Sequence, residues 1–166
     1  MTAYTDKIKE ISKRLLKGGQ VETVIGFRKG TVPLLHQPMF ATSEGEVENF
    51  VWDSNCGLNL ANYVIDQGEK IGVVAKGCDS RNLAVHIVEG KIRRDQVHII
   101  GVPCKAMIDR HKLTAMMPGE IESVEEDEAN GTVTLSGNGF SETVNKAEVL
   151  QENCALCMHR NPVIYD

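Results

Sequence analysis

The chain is expected to adopt an α/β fold: a mixed sheet containing a β-α-β unit, flanking helices, and a C-terminal β-hairpin followed by a Cys-x-x-Cys segment. Three observations predict it. The apolar runs KIGVVAKG (70–77) and QVHIIGVP (96–103) bracket DSRNLAVHIVEG (79–90), which is amphipathic at helical spacing. Strand, helix, strand over about thirty residues is the unit that joins parallel neighbours. Beyond Pro118 the pattern changes to an acidic stretch, an Asn-Gly turn and the alternation Thr132, Val133, Thr134, Leu135, which reads as a hairpin.

The elements follow in order. Residues 5–17 place Ile8, Ile11, Leu15 and Leu16 on one helical face with lysines and Arg14 opposite. Thr5 or Asp6 is the expected cap, and Gly18-Gly19 the stop. VETVIGF (21–27) and VPLLHQPMF (32–40) read as strands joined across Lys29-Gly30, the second interrupted by Pro33 and Pro38. A short helix is expected over 43–51. Another, capped by Asp53 or Ser54, is expected from Gly57 to Ile65, ending near Gly68. The β-α-β unit comes next. The acidic stretch Glu120–Glu128 reads as a solvated hairpin arm, and residues 144–150 lead to the Cys-x-x-Cys and the ending HRNPVIYD.

Length and composition bound the function. The 166 residues fit one domain over 1–166, without repeats or low-complexity tracts. A net charge of −5 leaves no electrostatic footprint for nucleic acid or an acidic membrane. No apolar stretch approaches a membrane span, and MTAYTDKIKEISKRLL is charged and amphipathic, unlike a signal peptide. A cytoplasmic location is therefore expected, where thiols stay reduced and clustered cysteines favour metal or redox chemistry over disulfides.

The cysteines carry the chemistry. Five are present: Cys56, Cys78, Cys104, Cys154 and Cys157. Cys78 and Cys104 each follow one strand of the β-α-β unit. Parallel neighbours end on the same edge, about 4.8 Å apart, so the fold would set these two thiols side by side where open α/β sheets place ligands. The Cys-x-x-Cys adds two sulfurs from one turn, a spacing that serves one metal or cluster. Cys78, Cys104, Cys154 and Cys157 would make a closed four-thiolate shell. Gly77, Gly101 and Pro103 would let backbone approach it.

Cys56, expected in a first helical turn where the dipole favours thiolate, is the alternative fourth ligand, or else a buried small apolar residue. The leading reading is an iron–sulfur electron-transfer module. A zinc-stapled structural or protein-interaction domain uses the same thiols. A third reading is a nucleotide or flavin site at the strand edge with incidental cysteines. The five histidines show no mutual ligand spacing; His86 and His98 read as satisfied core or edge residues. His159 and Arg160 follow the Cys-x-x-Cys, and Arg81 would bind an anion or pair with Asp79 or Asp109.

Gly101-Val102-Pro103-Cys104 followed by Cys154-Ala155-Leu156-Cys157 resembles the β-subunit family of coenzyme F-420-reducing hydrogenases and related dehydrogenases. AKGCDSRNLAVHI and the ending CMHRNPVIYD resemble a bacterial branch found in anaerobes beside heterodisulfide-reductase-like and formate or hydrogen metabolism proteins. The resemblance covers residues 25–166 and is sharpest over 70–109 and 153–166. It implies a 4Fe–4S cluster, FAD as a possible second cofactor, and an oxidoreductase component passing electrons between partner subunits and a flavin or soluble carrier. The ferredoxin-like run C-x-x-C-x-x-C-x-x-x-C-P of that family does not occur in this sequence. A ferredoxin-like partner, or a ferredoxin-like domain beyond these residues, is therefore expected, alongside hydrogenase, dehydrogenase or heterodisulfide-reductase-like subunits.

Overall fold

A computed structural model describes residues 3–65 and 68–166. Its main sheet has four strands: β1 (Thr23–Lys29), β2 (His36–Ala41), β3 (Ile71–Ala75) and β4 (Val97–Gly101), ordered β2-β1-β3-β4. β1, β3 and β4 run parallel, and β2 pairs antiparallel with β1 at the edge. The mixed α/β architecture is thus the one the sequence predicts. All five residues of β3 are buried, as a central parallel strand covered on both faces requires. Pro38 sits in β2 opposite Phe27; an edge strand tolerates the missing N–H that a central one would not.

Helix α1 (Ala3–Lys17) buries Ile8, Ser12 and Leu15, spaced four and three residues apart. Thr5 and Asp6 lie inside it and not at its cap. Thr5 instead joins α1 to the loop after β2: its hydroxyl accepts the Trp52 N–H at 3.0 Å. Helix α2 (Glu44–Val47) is shorter than the expected 43–51 but starts on a capping box formed by Ser43 and Glu46. The helix expected over 57–65 is a correction. Only a 3-10 turn forms over Leu60–Tyr63, capped by Asn59, and Asp53 and Ser54 lie in the preceding loop. Its expected ending falls partly on residues 66–67, outside those described.

Helix α3 (Gly77–Val88) connects β3 to β4 and starts two residues earlier than expected. His86 on α3 is buried; among the described residues neither ring nitrogen has a partner, contrary to the satisfied histidine expected there. Helix α4 (Arg110–Met116), capped by the Asp109 carboxylate, was not foreseen.

The acidic hairpin is present and carries a third strand. β5 (Ile121–Asp127), β6 (Thr132–Gly137) and β7 (Phe140–Asn145) form an antiparallel meander with Gly131 at the expected turn. Its inner face, with Leu113 of α4 and Val149, builds a second, smaller core. The main core centres on Val24, Ile25, Phe27, Val73, Leu83 and Ile99. Burying a side chain such as Phe27 contributes about 1.5–3 kcal/mol. The acidic arm is not wholly solvated: Glu126 accepts from the Ser54 N–H at 3.3 Å and its hydroxyl at 2.7 Å, and pairs with Lys146. This ties the second sheet to the first. A last short helix, α5 (Glu152–Ala155), carries the first cysteine of the Cys-x-x-Cys.

Candidate metal centre

The register of the central strands positions the first two thiols. Ala75 pairs with Gly101 at the carboxyl edge, and Cys78 and Cys104 each stand three residues further on. From β3 the chain turns directly into α3, so Cys78 occupies the first turn of that helix and is exposed. After β4 the chain stays extended: the Val102 N–H donates to Ala75 O at 2.9 Å, prolonging the ladder towards Cys104. Ala106 then adopts φ = 72°, a left-handed conformation costing roughly 1–2 kcal/mol in a residue with a Cβ. The Ala106 backbone N–H favours the thiolate form of Cys104, against the effect of burial.

The other two thiols arrive through backbone pairing. Ile108 bridges Leu150, and the Gln151 N–H donates to Met107 O at 3.0 Å. This brings α5 alongside the chain that follows Cys104. The Cys157 N–H donates to Cys154 O at 3.3 Å, so both sulfurs leave one turn. Arg160 clamps that turn, its guanidinium reaching the carbonyls of Cys157 and Cys154, each at 3.4 Å. Residues 159–166 then form a strap across the strand ends. Within it, Arg160 O accepts the Cys104 N–H at 3.0 Å and the Val163 N–H donates to Ser80 Oγ at 2.9 Å. Gly77 and Gly101 admit the strap: a Cβ on Gly77 would lie 2.4 Å from His159 O, and one on Gly101 would lie 2.9 Å from Tyr165 Cβ.

Cys78, Cys104, Cys154 and Cys157 all line one cavity of about 190 Å³, together with Lys76, Arg81 and Arg160. Three cationic side chains around four thiols, in a chain of net charge −5, favour an anionic occupant such as a thiolate-ligated centre. Burial pushes the Cys78 and Cys104 thiols up; Asp79 adds to this at Cys78, while Lys76 opposes it at both. Metal binding would therefore have to displace protons from both. Tetrahedral zinc with bonds of 2.3 Å holds its sulfurs about 3.8 Å apart. Among the described residues, no three of these sulfurs lie within 4.8 Å of one another.

Cys56 is placed elsewhere. It is not in a helical turn, it is fully buried, and its thiol donates to Val51 O at 3.7 Å. Burial and the Asp53 charge push its pKa up, the opposite of the helix-dipole expectation. Its sulfur belongs to a different group, with His36 and Asp53, whose donor atoms all fall within 4.8 Å. There the His36 Nε2 is engaged with Asp53 Oδ2 at 2.8 Å.

Sequence reasoning missed the pair beside the cavity. Lys76 and Asp79 are buried and bonded at 3.0 Å. Asp79 also accepts the Lys76 N–H at 3.0 Å. An acidic residue four places after a strand end is the available signal, since it caps the helix that follows. Asp79 is thereby taken by Lys76 and Asp109 by the start of α4, so neither expected pairing of Arg81 forms.

No protein-family model matches the chain, and no curated protein matches it in sequence. A solved structure does match in fold: a chain of the F-420-reducing NiFe hydrogenase complex from Methanosarcina barkeri, studied by xenon derivatisation, with a TM-score of 0.64 at 16% identity. The match covers 92% of this chain and 58% of that one, so this chain spans a little over half of its neighbour's length. At that identity the likeness establishes the shared fold. Among the described residues, no helix is long and apolar enough to cross a membrane.

Proposed function

We propose that this chain is an electron-relay component of a redox complex and holds a 4Fe–4S cluster on Cys78, Cys104, Cys154 and Cys157. The convergence of four thiols from three separate segments on one cationic cavity carries the reading. Their chemistry fits: thiolates are the ligands of such clusters. When bound, the cluster supplies one-electron storage, and the protein supplies its environment. The Ala106 N–H stabilises the Cys104 sulfur, and Arg160 fixes the turn that presents Cys154 and Cys157. Lys76, Arg81 and Arg160 offset the anionic charge. The fold shared with a chain of a hydrogenase complex supports a role beside hydrogenase, dehydrogenase or heterodisulfide-reductase-like subunits. A ferredoxin-like protein would be the donor, and a flavin, FAD included, or a soluble carrier the acceptor. Each passage moves a single electron in and a single electron out. The setting that keeps such thiols reduced is the cytoplasm.

One anaerobic preparation tests this. Iron, sulfide, zinc and flavin are measured together, and the visible spectrum is followed on adding dithionite. About four irons and four sulfides per chain, with a brown colour that bleaches, is the expected result. A folded, colourless protein holding one zinc would replace the reading with the zinc-stapled domain. Flavin without iron would replace it with a nucleotide or flavin site.

A further inference from the structure

We propose that His36, Asp53 and Cys56 form a second metal site, for a zinc ion held by one imidazole nitrogen, one carboxylate oxygen and one thiolate. It shares no residue with the four-thiol cavity and does not depend on what that cavity holds.

The fold delivers the three side chains to one place. At the end of β1, Lys29 pairs with His36, the first residue of β2, and Arg28 bridges Phe50, just ahead of the loop that carries Asp53 and Cys56. The Cys56 N–H donates to Asp53 O at 3.2 Å and the Asn55 N–H to Asp53 Oδ1 at 2.8 Å, so carboxylate and thiol leave one tight turn. That turn is fastened in place: Ser54 O accepts the Ile108 N–H at 2.9 Å, and the Ser54 hydroxyl donates to Glu126 at 2.7 Å. One donor atom from each of His36, Asp53 and Cys56 falls within 4.8 Å of the other two. Among the described residues, no other three His, Cys, Asp or Glu side chains come so close. Tetrahedral zinc sets such donors about 3.4–3.6 Å apart. His36 Nε2 and Asp53 Oδ2, now at 2.8 Å, would part by about 0.6 Å to admit the ion.

The donor types select the ion. Calcium and magnesium take oxygen ligands, whereas zinc accepts imidazole, carboxylate and thiolate together. The charges also balance. Zinc's two positive charges meet the Asp53 carboxylate and the Cys56 thiolate, whose proton leaves for solvent on binding, and the assembly is neutral. That suits the surroundings, because His36 is 8% exposed and Cys56 0%. Buried charges persist when they are paired or coordinate a metal. The Cys56 thiol has only a long bond to give up, to Val51 O at 3.7 Å. Entry is open as well: His36 and Asp53 line a cavity of about 400 Å³ with Asn55 and Glu122, which leaves a way in and room for water as the fourth ligand.

The test is equilibrium dialysis of the full chain against buffered zinc, read as zinc bound per chain, with far-UV circular dichroism on every sample. A chain carrying Cys78→Ser, Cys104→Ser, Cys154→Ser and Cys157→Ser keeps Cys56 as its single cysteine. It should bind one zinc. Cobalt put in zinc's place should show thiolate-to-cobalt charge-transfer absorption, which no other residue of that chain can supply. Adding His36→Gln, which keeps a hydrogen-bonding group beside Asp53, or Cys56→Ala should weaken zinc at least about 100-fold, the upper end of the loss on changing a mere supporting partner. Helicity should be unchanged, and Cys56→Ala should also remove the absorption. A folded four-serine chain that binds no zinc, or binds cobalt without that absorption, overturns the inference, as does equal affinity in either added variant. If the four-serine chain does not fold, the comparison passes to the unaltered chain. There His36→Gln and Cys56→Ala should each lose one zinc and keep any bound iron and sulfide; zinc retained in either overturns the inference. Failure here leaves the four-thiol reading intact, and a chain without iron or sulfide leaves this site intact.

Discussion

The strap over the strand ends makes Gly77→Ala a sharp perturbation. The added Cβ would sit 2.4 Å from His159 O and 3.0 Å from Asn161 O, where ordinary contact begins at 3.4 Å. Both opposing atoms are backbone, so the strap itself must retreat by about 1 Å. It is held on both sides, by the 3.0 Å bond from the Cys104 N–H to Arg160 O and the 2.9 Å bond from the Val163 N–H to Ser80 Oγ. A shift of that size breaks at least one of them, at about 0.5–1.5 kcal/mol each. Overpacking in a tight site costs a further 1–3 kcal/mol or so. Alanine's better helix propensity returns at most about 1 kcal/mol. The net expectation is a loss of about 2 kcal/mol, which for a chain of this size lowers Tm by about 4–8 °C. Gly45→Ala is the control: Gly45 lies in α2 with open space around its Cβ position, so this change should stabilise by about 0.4–1 kcal/mol. Thermal unfolding followed by circular dichroism measures both. A Gly77→Ala protein as stable as the parent would refute the reasoning that the strap is locked against α3.

Other consequences are open to measurement. Cys104→Ser and Cys157→Ser should each abolish iron and sulfide binding, whereas Cys56→Ser should keep both, because Cys56 does not line the cavity. Metal uptake by the apo chain should weaken as pH falls from 9 to 7, since burial raises the Cys78 and Cys104 thiols and each must lose a proton; titrations at several pH values check this. Burial works to raise the Asp53 carboxyl, but His36 and the Asn55 amide outweigh it and hold the carboxyl below its ordinary 3.8. A depressed folded pKa gives stability that is present above the unfolded value and lost as pH falls through the folded one. Asp53→Asn should therefore destabilise at pH 7, with the difference from the parent vanishing in acid below about 3.8; denaturant melts across pH would show it. Glu126→Ala removes the acceptor shared by Ser54 and Lys146, and should cost about 2 kcal/mol and speed amide exchange around Ser54.

The β3-α3-β4 unit was legible because its strands are short, apolar and rich in valine and isoleucine, while α3 shows helical amphipathicity. The Asn130-Gly131 turn was legible for a similarly local reason. Elements whose cause is distant were not. Leu60, Ala61 and Val64 are spaced as a helix would space them, yet the segment is held short. Asn59 caps it late, and Leu58 O serves Lys76 from across the fold. Helix α4 offers Leu113 as its sole buried residue, too little periodicity to detect. In β7 the side chains facing β6 include Thr143 and Ser141, whose hydroxyls meet Thr134 and Ser136 at 3.0 and 3.1 Å, so no apolar alternation announces the strand. The thiols were visible in the sequence one by one. Their meeting depends on the Gln151–Met107 pairing and on the strap, and the buried Lys76–Asp79 pair emerges only once α3 is seen to start at Gly77.

The ends of the main sheet limit how a second protein can attach. On β4, the Ile99 N–H and C=O that face away from β3 are both occupied by Asp166, at 2.8 and 3.0 Å, and Arg94 occupies Val97 O at 2.8 Å while gripping the same aspartate. At the opposite margin, Pro38 removes a donor from β2. Growth of the sheet by an incoming strand is thus discouraged at both borders, a common safeguard against unwanted polymerisation. Leu156 and Met158, the neighbours of Cys157 in sequence, are by contrast exposed apolar side chains.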